Sequence, residues 1–145
     1  MIGLLQRVTR ASVAVDNEVI GHIERGLVVL IAVHRDDKGG DITRLSERIL
    51  SYRVFPDAAG RMNRSVKDIS GGLLLVPQFT LTADTRKGTR ASFTKAAEPQ
   101  IAADYFDKLV ALCREQLASV ETGQFAADMQ VSLINDGPVT FWLES

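Results

Sequence analysis

Histidine, cysteine and paired carboxylates carry most side-chain catalysis, and this chain is poor in the first two. Its only histidines are His22, within a strand pattern, and His34, at a strand end; its only cysteine is Cys113. A single cysteine forbids an internal disulfide. With two histidines, a closed zinc site would need several carboxylates, and no ligand spacing suggests one. There is no Gly-x-Ser-x-Gly elbow, no phosphate-binding glycine loop and no dinucleotide fingerprint, so no cofactor and no metal are expected. Three segments remain. Gln78-Phe79-Thr80 offers a threonine hydroxyl, but such a nucleophile needs an adjacent base and none is in view. Asn135-Asp136-Gly137-Pro138-Val139-Thr140 contains ordinary turn dipeptides. Arg86, Lys87, Arg90 and Lys95 form the one basic cluster, which as it stands reads as a solvated loop. General principles alone give a domain of unstated activity.

The elements that must position these residues begin as strands. Ile2, Leu4 and Val8 share one phase of a period-two pattern and Ala11, Val13 and Val15 the other, so a bulge or bend is expected near Arg10. Asp16-Asn17 has turn chemistry and leads into a second strand, Glu18 to Ile23. Residues 27–33 are a continuous apolar run, expected of a strand covered on both faces. Gly39-Gly40 then breaks the chain, Asp41 is expected to cap a helix, and Ile42, Leu45 and Ile49 recur at helical spacing to about Tyr52. Residues 56–72 are turn-rich, with a short helix or turn near Ser65 to Asp68, and Leu73 to Val76 is a further buried strand. A polar, basic loop from Thr82 to Lys95 precedes a second helix begun by Glu98-Pro99, with Ala102, Phe106, Leu109, Cys113 and Leu117 as its apolar stripe. Two alternating strands end the chain, residues 129–133 and 139–143, joined by 135–138 as a hairpin connection. The expectation is one α+β domain over residues 1–145, an antiparallel or mixed, open barrel-like sheet with two main helices on one side.

Bulk properties narrow the function classes. The balance of 17 basic against 18 acidic residues gives a net charge of −1. A protein that neutralises many phosphates usually carries a large positive excess, so any RNA contact should be confined to a short stretch such as a terminus. The N-terminus lacks the features of a signal peptide, and the longest apolar run, Leu27 to Val33, is too short to cross a bilayer. A cytoplasmic protein with no membrane partner is expected.

Two segments, taken together, are more specific. Val76-Pro77-Gln78-Phe79-Thr80-Leu81 and Asn135-Asp136-Gly137-Pro138-Val139-Thr140 resemble the two signature motifs of the D-aminoacyl-tRNA deacylases, roughly Ser-Gln-Phe-Thr-Leu and Asn-x-Gly-Pro-x-Thr. The resemblance extends over essentially the whole chain, including Gln6-Arg7-Val8, Met62-Asn63, the Arg90 to Phe93 region and Glu121-Thr122-Gly123 through Met129-Gln130-Val131. Two positions depart from the pattern: Pro77 replaces the usual Ser and Ala126 the usual Gly.

The resemblance implies a homodimeric esterase that hydrolyses D-aminoacyl-tRNA, and glycyl-tRNA as well, at the 3′ acceptor end. It implies a catalytic segment Gln78, Phe79 and Thr80, in which the N–H groups of Phe79 and Thr80 face the ester carbonyl. It implies that Gly137, Pro138, Val139 and Thr140 select chirality, the Gly137–Pro138 peptide being cis and entering the other subunit's site as a wall against L-residues. Phe125 and Met129 resemble the family's adenosine contacts, and Arg86, Lys87 and Arg90 are candidate tRNA contacts. The rival reading is a non-catalytic module that binds an aminoacyl or nucleotide end.

Overall fold

Strand β1 (Ile2–Val15) is long because it serves two halves of the sheet at once. A computed structural model describes residues 1–145. Residues 2–8 of β1 pair antiparallel with β3 (Gly26–Ala32), and residues 11–15 pair antiparallel with β2 (Glu18–Ile23). The β1–β2 turn places Asp16 and Asn17 at φ of 50° and 63°, the left-handed pair that a two-residue hairpin requires. The C-terminal strand β8 (Gln130–Glu144) runs antiparallel along both stretches of β1. Its register slips between Gln6 and Val8 and between Val8 and Arg10, where the apolar phase changes.

On its other side β3 is parallel to β6 (Gly72–Pro77), and β6 is parallel to a short β7 (Val120–Thr122) that the sequence did not announce. Two glycines permit the start of the β3–β6 pair. A Cβ on Gly26 would lie 1.8 Å from the Gly72 carbonyl oxygen, so only glycine fits there. A small antiparallel pair, β4 (Phe55–Pro56) and β5 (Met62–Arg64), occupies part of the turn-rich stretch.

The apolar run of β3 is buried on both faces, as expected. Leu27, Val29 and Ile31 join Leu73 and Leu75 beneath helix α1 (Gly39–Ser51) and helix α2 (Pro99–Gln116). Val28, Leu74 and Val76 face the opposite way, against Val8, Ala11, Val13 and Ile23. The second cluster exists because the β1–β2–β8 half of the sheet curls over that face, giving a nearly closed barrel-like sheet with both helices on one side. In β1 it is Leu5, not its partly buried neighbour Leu4, that is fully buried in the helix-side core.

Two expectations are corrected. Asp41 does not cap α1: Lys38 is the N-cap and Gly39-Gly40 form the first turn, while the Asp41 carboxylate reaches back to accept the Lys38 N–H at 2.8 Å. The C-terminal segment is one strand rather than a hairpin. Asn135 and Thr140 pair with Val8 and Gln6 of the same β1, so residues 136–139 form a bulge between two stretches of continuous pairing.

Candidate active site

The end of β6 opens into a cleft of about 660 Å³. Its lining comes from that strand end (Val76, Pro77, Gln78, Phe79), from the start of α2 (Ala96 to Pro99, Ala102), from Phe93, and from the segment between β7 and β8 (Phe125 to Met129, Val131). The topology explains the convergence: β6 and β7 are parallel neighbours, so the chain leaving each emerges on the same edge of the sheet.

Pro77 is compatible with β6 for a local reason. On the β7 side the Leu73 N–H donates to Ser119 and the Leu75 carbonyl accepts from Gly123. Residue 77 is the next on that edge, beyond the last β6–β7 pair at Leu75 and Thr122. Proline forfeits one bond at the end of a ladder, where the loss is smallest.

After Pro77 the Gln78 N–H donates to the Ile31 carbonyl at 2.7 Å, and a single 3₁₀ turn follows, Phe79–Thr82. Leu81 and Ala83 donate back to Gln78 and Thr80, so the N–H groups of Phe79 and Thr80, the first two of the turn, have no partner in the turn's own ladder. This is the usual fate of the first donors of a helical turn. Here they are consecutive and stand beside the cleft. The Gln78 side-chain amide donates to Thr80 Oγ1 at 2.6 Å, and no imidazole or carboxylate hydrogen-bonds to that hydroxyl. The Phe79 side chain is not in the core. It is 55% exposed and packs on Phe93 with ring centroids 5.1 Å apart.

The opposite wall holds Phe125 and Met129, so the structure brings these into one cleft with Gln78 and Phe79; Thr80 is adjacent to its lining. Met129 is fixed by its sulfur, which accepts the Gln124 N–H at 3.3 Å and lies 2.7 Å from where a Cβ on Gly123 would be. Ala126 stands between them at φ 61°, a left-handed conformation that strains an alanine. The cleft contains two carboxylates, Glu98 and Asp128, and no basic side chain.

The basic residues lie outside it. Arg86, Lys87 and Arg90 line a separate hollow on the 82–95 loop together with Asp84 and Ser92. Asp84 and Ser92 exchange both backbone hydrogen bonds, at 2.8 and 3.2 Å, which pinches the loop. Arg86 is not a free cation. Its guanidinium forks onto Asp84, and that bond holds the Asp84 carboxyl well below the usual range. Lys87 and Arg90 form no such pair.

The 136–139 bulge also lies outside the lining. Gly137 and Pro138 are exposed, Thr140 is exposed and accepts from Gln6 Nε2, and the Val139 side chain is buried in the core. The Gly137–Pro138 peptide is cis. Two residues without a role from their own chemistry hold the bulge. Arg7 donates through Nε to the Asp136 carbonyl at 2.9 Å and through Nη1 to the Val54 carbonyl. Asn135 donates to the carbonyls of Arg7 and Val139. A partly buried arginine between Gln6 and the fully buried Val8 is the feature that marks the first. No three His, Cys, Asp or Glu side chains converge on a point that could hold a metal ion, and no helix is long and apolar enough to cross a membrane.

Residues 4–144 match the family model described as D-Tyr-tRNA(Tyr) deacylase. The chain is 66% identical over its full length, and over 97% of the relative, to a D-aminoacyl-tRNA deacylase of Alkalilimnicola ehrlichii. It is 57% identical, with both chains wholly covered, to a D-aminoacyl-tRNA deacylase of Vibrio cholerae. Among solved structures it is similar to the c-Myc DNA Unwinding Element Binding Protein, with a TM-score of 0.95 at 37% identity and coverage of 100% and 99% of the two chains. A probable eukaryotic D-amino acid tRNA deacylase shares the fold, with a TM-score of 0.87 at 17% identity over 99% of this chain and 98% of that one.

Proposed function

From the premise that this chain belongs to the D-aminoacyl-tRNA deacylase family, and so is a hydrolase of the D-aminoacyl-tRNA ester, we propose how its residues divide that work. The observation that carries the proposal is the 3₁₀ turn that opens at the cleft, whose first two N–H groups, Phe79 and Thr80, are not used by the turn's own ladder. A carbonyl oxygen placed between them gains negative charge as water adds, and preorganised donors stabilise that charge more than they stabilise the neutral ester.

The terminal adenosine occupies the Phe125–Met129 wall, where an aromatic ring and a thioether can hold a base face. Water attacks the ester carbon, the bond to the ribose oxygen breaks, and that oxygen takes up a proton. Free amino acid and tRNA are released. The neighbouring ribose hydroxyl positions the water, so the missing acid–base pair on the protein is supplied by the substrate. Thr80 is a positioning residue in this scheme. Its hydroxyl is occupied by Gln78 and has no base to activate it.

Chirality is selected by exclusion, through the exposed backbone of Gly137 and Pro138 contributed by a second copy of the chain. Two features support a second copy. Gly137 lies six residues along β8 from Val131 in the cleft wall, roughly 20 Å of extended chain, so a protomer's own bulge is far from its own cleft. The same strand also exposes Ile134 and Trp142, 46% and 50% accessible, an apolar surface that a partner would cover. A main-chain wall without side-chain pockets rejects an L-residue by collision, accepts any D-residue, and accepts glycine, which has no side chain to collide.

The test uses D-tyrosyl-, L-tyrosyl- and glycyl-tRNA at protein concentrations where the oligomeric state is measured in parallel. D-tyrosine and glycine should be released and L-tyrosine retained by the dimer. Equal release of both enantiomers by a dimeric sample would end the exclusion reading.

A further inference from the structure

Phe79 and Phe93 form an aromatic pair on the rim of the cleft, and both rings remain substantially open, 55% and 41% exposed. Large apolar side chains left open side by side at a cleft mouth mark a place that something else covers. Phe79 opens the 3₁₀ turn at the end of β6. Phe93 belongs to a different element, the 82–95 loop, and three features of that loop bear on what its ring meets.

The Asp84–Ser92 pinch fixes the loop one residue before Phe93, and the Phe93 carbonyl accepts the Ala96 N–H at 3.0 Å one residue before Ala97, which is bound in turn to Val33. The ring is therefore carried by backbone held on both sides. The excursion closed by the pinch bears Lys87 and Arg90, the two cations of the hollow that are not tied down by Asp84. The cleft itself has no basic side chain and two carboxylates, so a phosphate is favoured at the loop and disfavoured inside. An aromatic platform beside free cations on one loop is the composition that holds a single-stranded nucleic acid, with base on ring and phosphate on cation.

Resting on the assignment of the terminal adenosine to the cleft, we infer that Phe93 is the stacking platform for the nucleotide that precedes this adenosine at the tRNA 3′ end. Lys87 and Arg90 hold the phosphates of the same short stretch. Phe93 is thus a specificity residue. It distinguishes an aminoacyl ester on a polynucleotide from the same ester on a lone nucleoside, and takes no part in the chemistry.

The experiment compares kcat/KM on D-tyrosyl-tRNA with kcat/KM on 2′(3′)-O-D-tyrosyl-adenosine, for the wild type, Phe93→Leu and Phe93→Tyr. Leucine keeps an apolar side chain against Phe79 but no ring to stack on. The ratio of the two constants should fall roughly tenfold in Phe93→Leu, the size expected for one lost base stack, and return in Phe93→Tyr. The loss on tRNA should appear in KM rather than kcat, with melting temperatures unchanged. An equal loss on both substrates would mean that Phe93 only buttresses Phe79 or touches the amino acid, and overturns the inference; so does no loss on either. A wild type inactive on D-tyrosyl-tRNA would instead defeat the activity on which the inference rests, and is read from the same plates.

Discussion

The Phe79 N–H can be tested apart from that of Thr80, because Phe79 occupies the first position of its 3₁₀ turn. Proline is well tolerated there, since its fixed φ suits the position and its missing N–H is an orphan in any case. The preceding residue, Gln78, sits at φ −147° and ψ 75°, outside the helical region that a following proline disfavours. Phe79→Pro therefore removes one of the donors proposed to face the ester while keeping the turn's own hydrogen bonds, and it also removes the ring. Phe79→Ala removes the ring alone, so the ratio of the two variants isolates the donor. Loss of one oxyanion donor costs about 3–4 kcal/mol in the transition state, or roughly 10²–10³ in rate. Single-turnover hydrolysis of D-tyrosyl-tRNA with enzyme in excess separates this chemical step from binding. Phe79→Pro should be slower than Phe79→Ala by that factor, with similar apparent Kd and melting temperatures within a few degrees. Thr80→Ala completes the comparison. Its hydroxyl makes one hydrogen bond, to Gln78, worth about 1 kcal/mol or roughly fivefold. Removing a covalent nucleophile would instead abolish activity by several orders of magnitude. Should Phe79→Pro and Phe79→Ala hydrolyse at equal rates while both remain folded, the Phe79 N–H plays no part. Should Thr80→Ala be inactive with binding intact, the hydroxyl is the nucleophile and the substrate-assisted scheme is wrong.

Ala126→Gly relieves the left-handed strain at φ 61° and should raise stability by about 0.5–1 kcal/mol once the added flexibility of glycine is subtracted, a rise of roughly 2–3 °C in Tm; a lower Tm would show that the methyl group packs usefully on the cleft wall. Burial pushes the Cys113 thiol up to about 12 from 9.0, so the folded protein resists ionising this group while the unfolded chain does not. Its contribution to stability is complete below pH 9 and is lost as pH rises from 9 towards 12, so denaturant midpoints should fall across that window, less steeply in Cys113→Ala, and the native thiol should react with a disulfide reagent only as fast as the protein unfolds. A thiol that reacts at once in the folded state would contradict the burial.

How much of this was legible in the sequence depends on how local the deciding physics is. The apolar run at 27–33 implied a strand covered on both faces, and the stripe Ala102 to Cys113 implied a helix packed along one side. Both hold because a residue's own neighbours in the chain fix its period. The segment Asn135-Asp136-Gly137-Pro138 misled for the complementary reason. Its residues carry turn chemistry, and they do interrupt the pairing, but β1 continues beside them on both sides, so the chain bulges and resumes instead of reversing. Only the length of β1, a tertiary fact, distinguishes the two outcomes. Glycine at 39 and 40 was read as a break, whereas the helix begins there because Asp41 satisfies the Lys38 N–H one turn back. At the site, the roles of Gln78 to Thr80 and of Phe125 with Met129 entered through family resemblance. Their meeting in one cleft depends on β6 and β7 being parallel neighbours, and β7 is three residues long with no apolar alternation to mark it. Arg86 looked like its neighbours because a charge count cannot show that Asp84, two residues before it, already holds it.

The near-zero net charge, which first argued against extensive RNA contact, takes on a specific meaning once the charges are placed. Lys87 and Arg90 are on the loop, outside the cleft, and the carboxylates Glu98 and Asp128 line the cleft itself. A tRNA 3′ end is not uniformly anionic. Its phosphates are, but the last unit, a nucleoside esterified to an amino acid, ends in an ammonium group and an uncharged ester. In the proposed arrangement the field therefore orients the substrate before any close contact forms: the cationic aminoacyl end is drawn inward and the phosphates are held at the loop, with the terminal base between apolar walls. The opposite orientation would place phosphate against carboxylate in a largely apolar cleft, where the repulsion is least screened. If phosphate is held by Lys87 and Arg90, the two cations of the hollow not paired with Asp84, the footprint is about two charges, and the logarithm of affinity should fall with the logarithm of salt at a slope near −1.4 for single-stranded contacts. Such weak electrostatic holding suits an enzyme that must release every correctly charged tRNA it meets, since in the proposed scheme discrimination rests on the fit of the amino acid's central carbon and not on affinity for RNA.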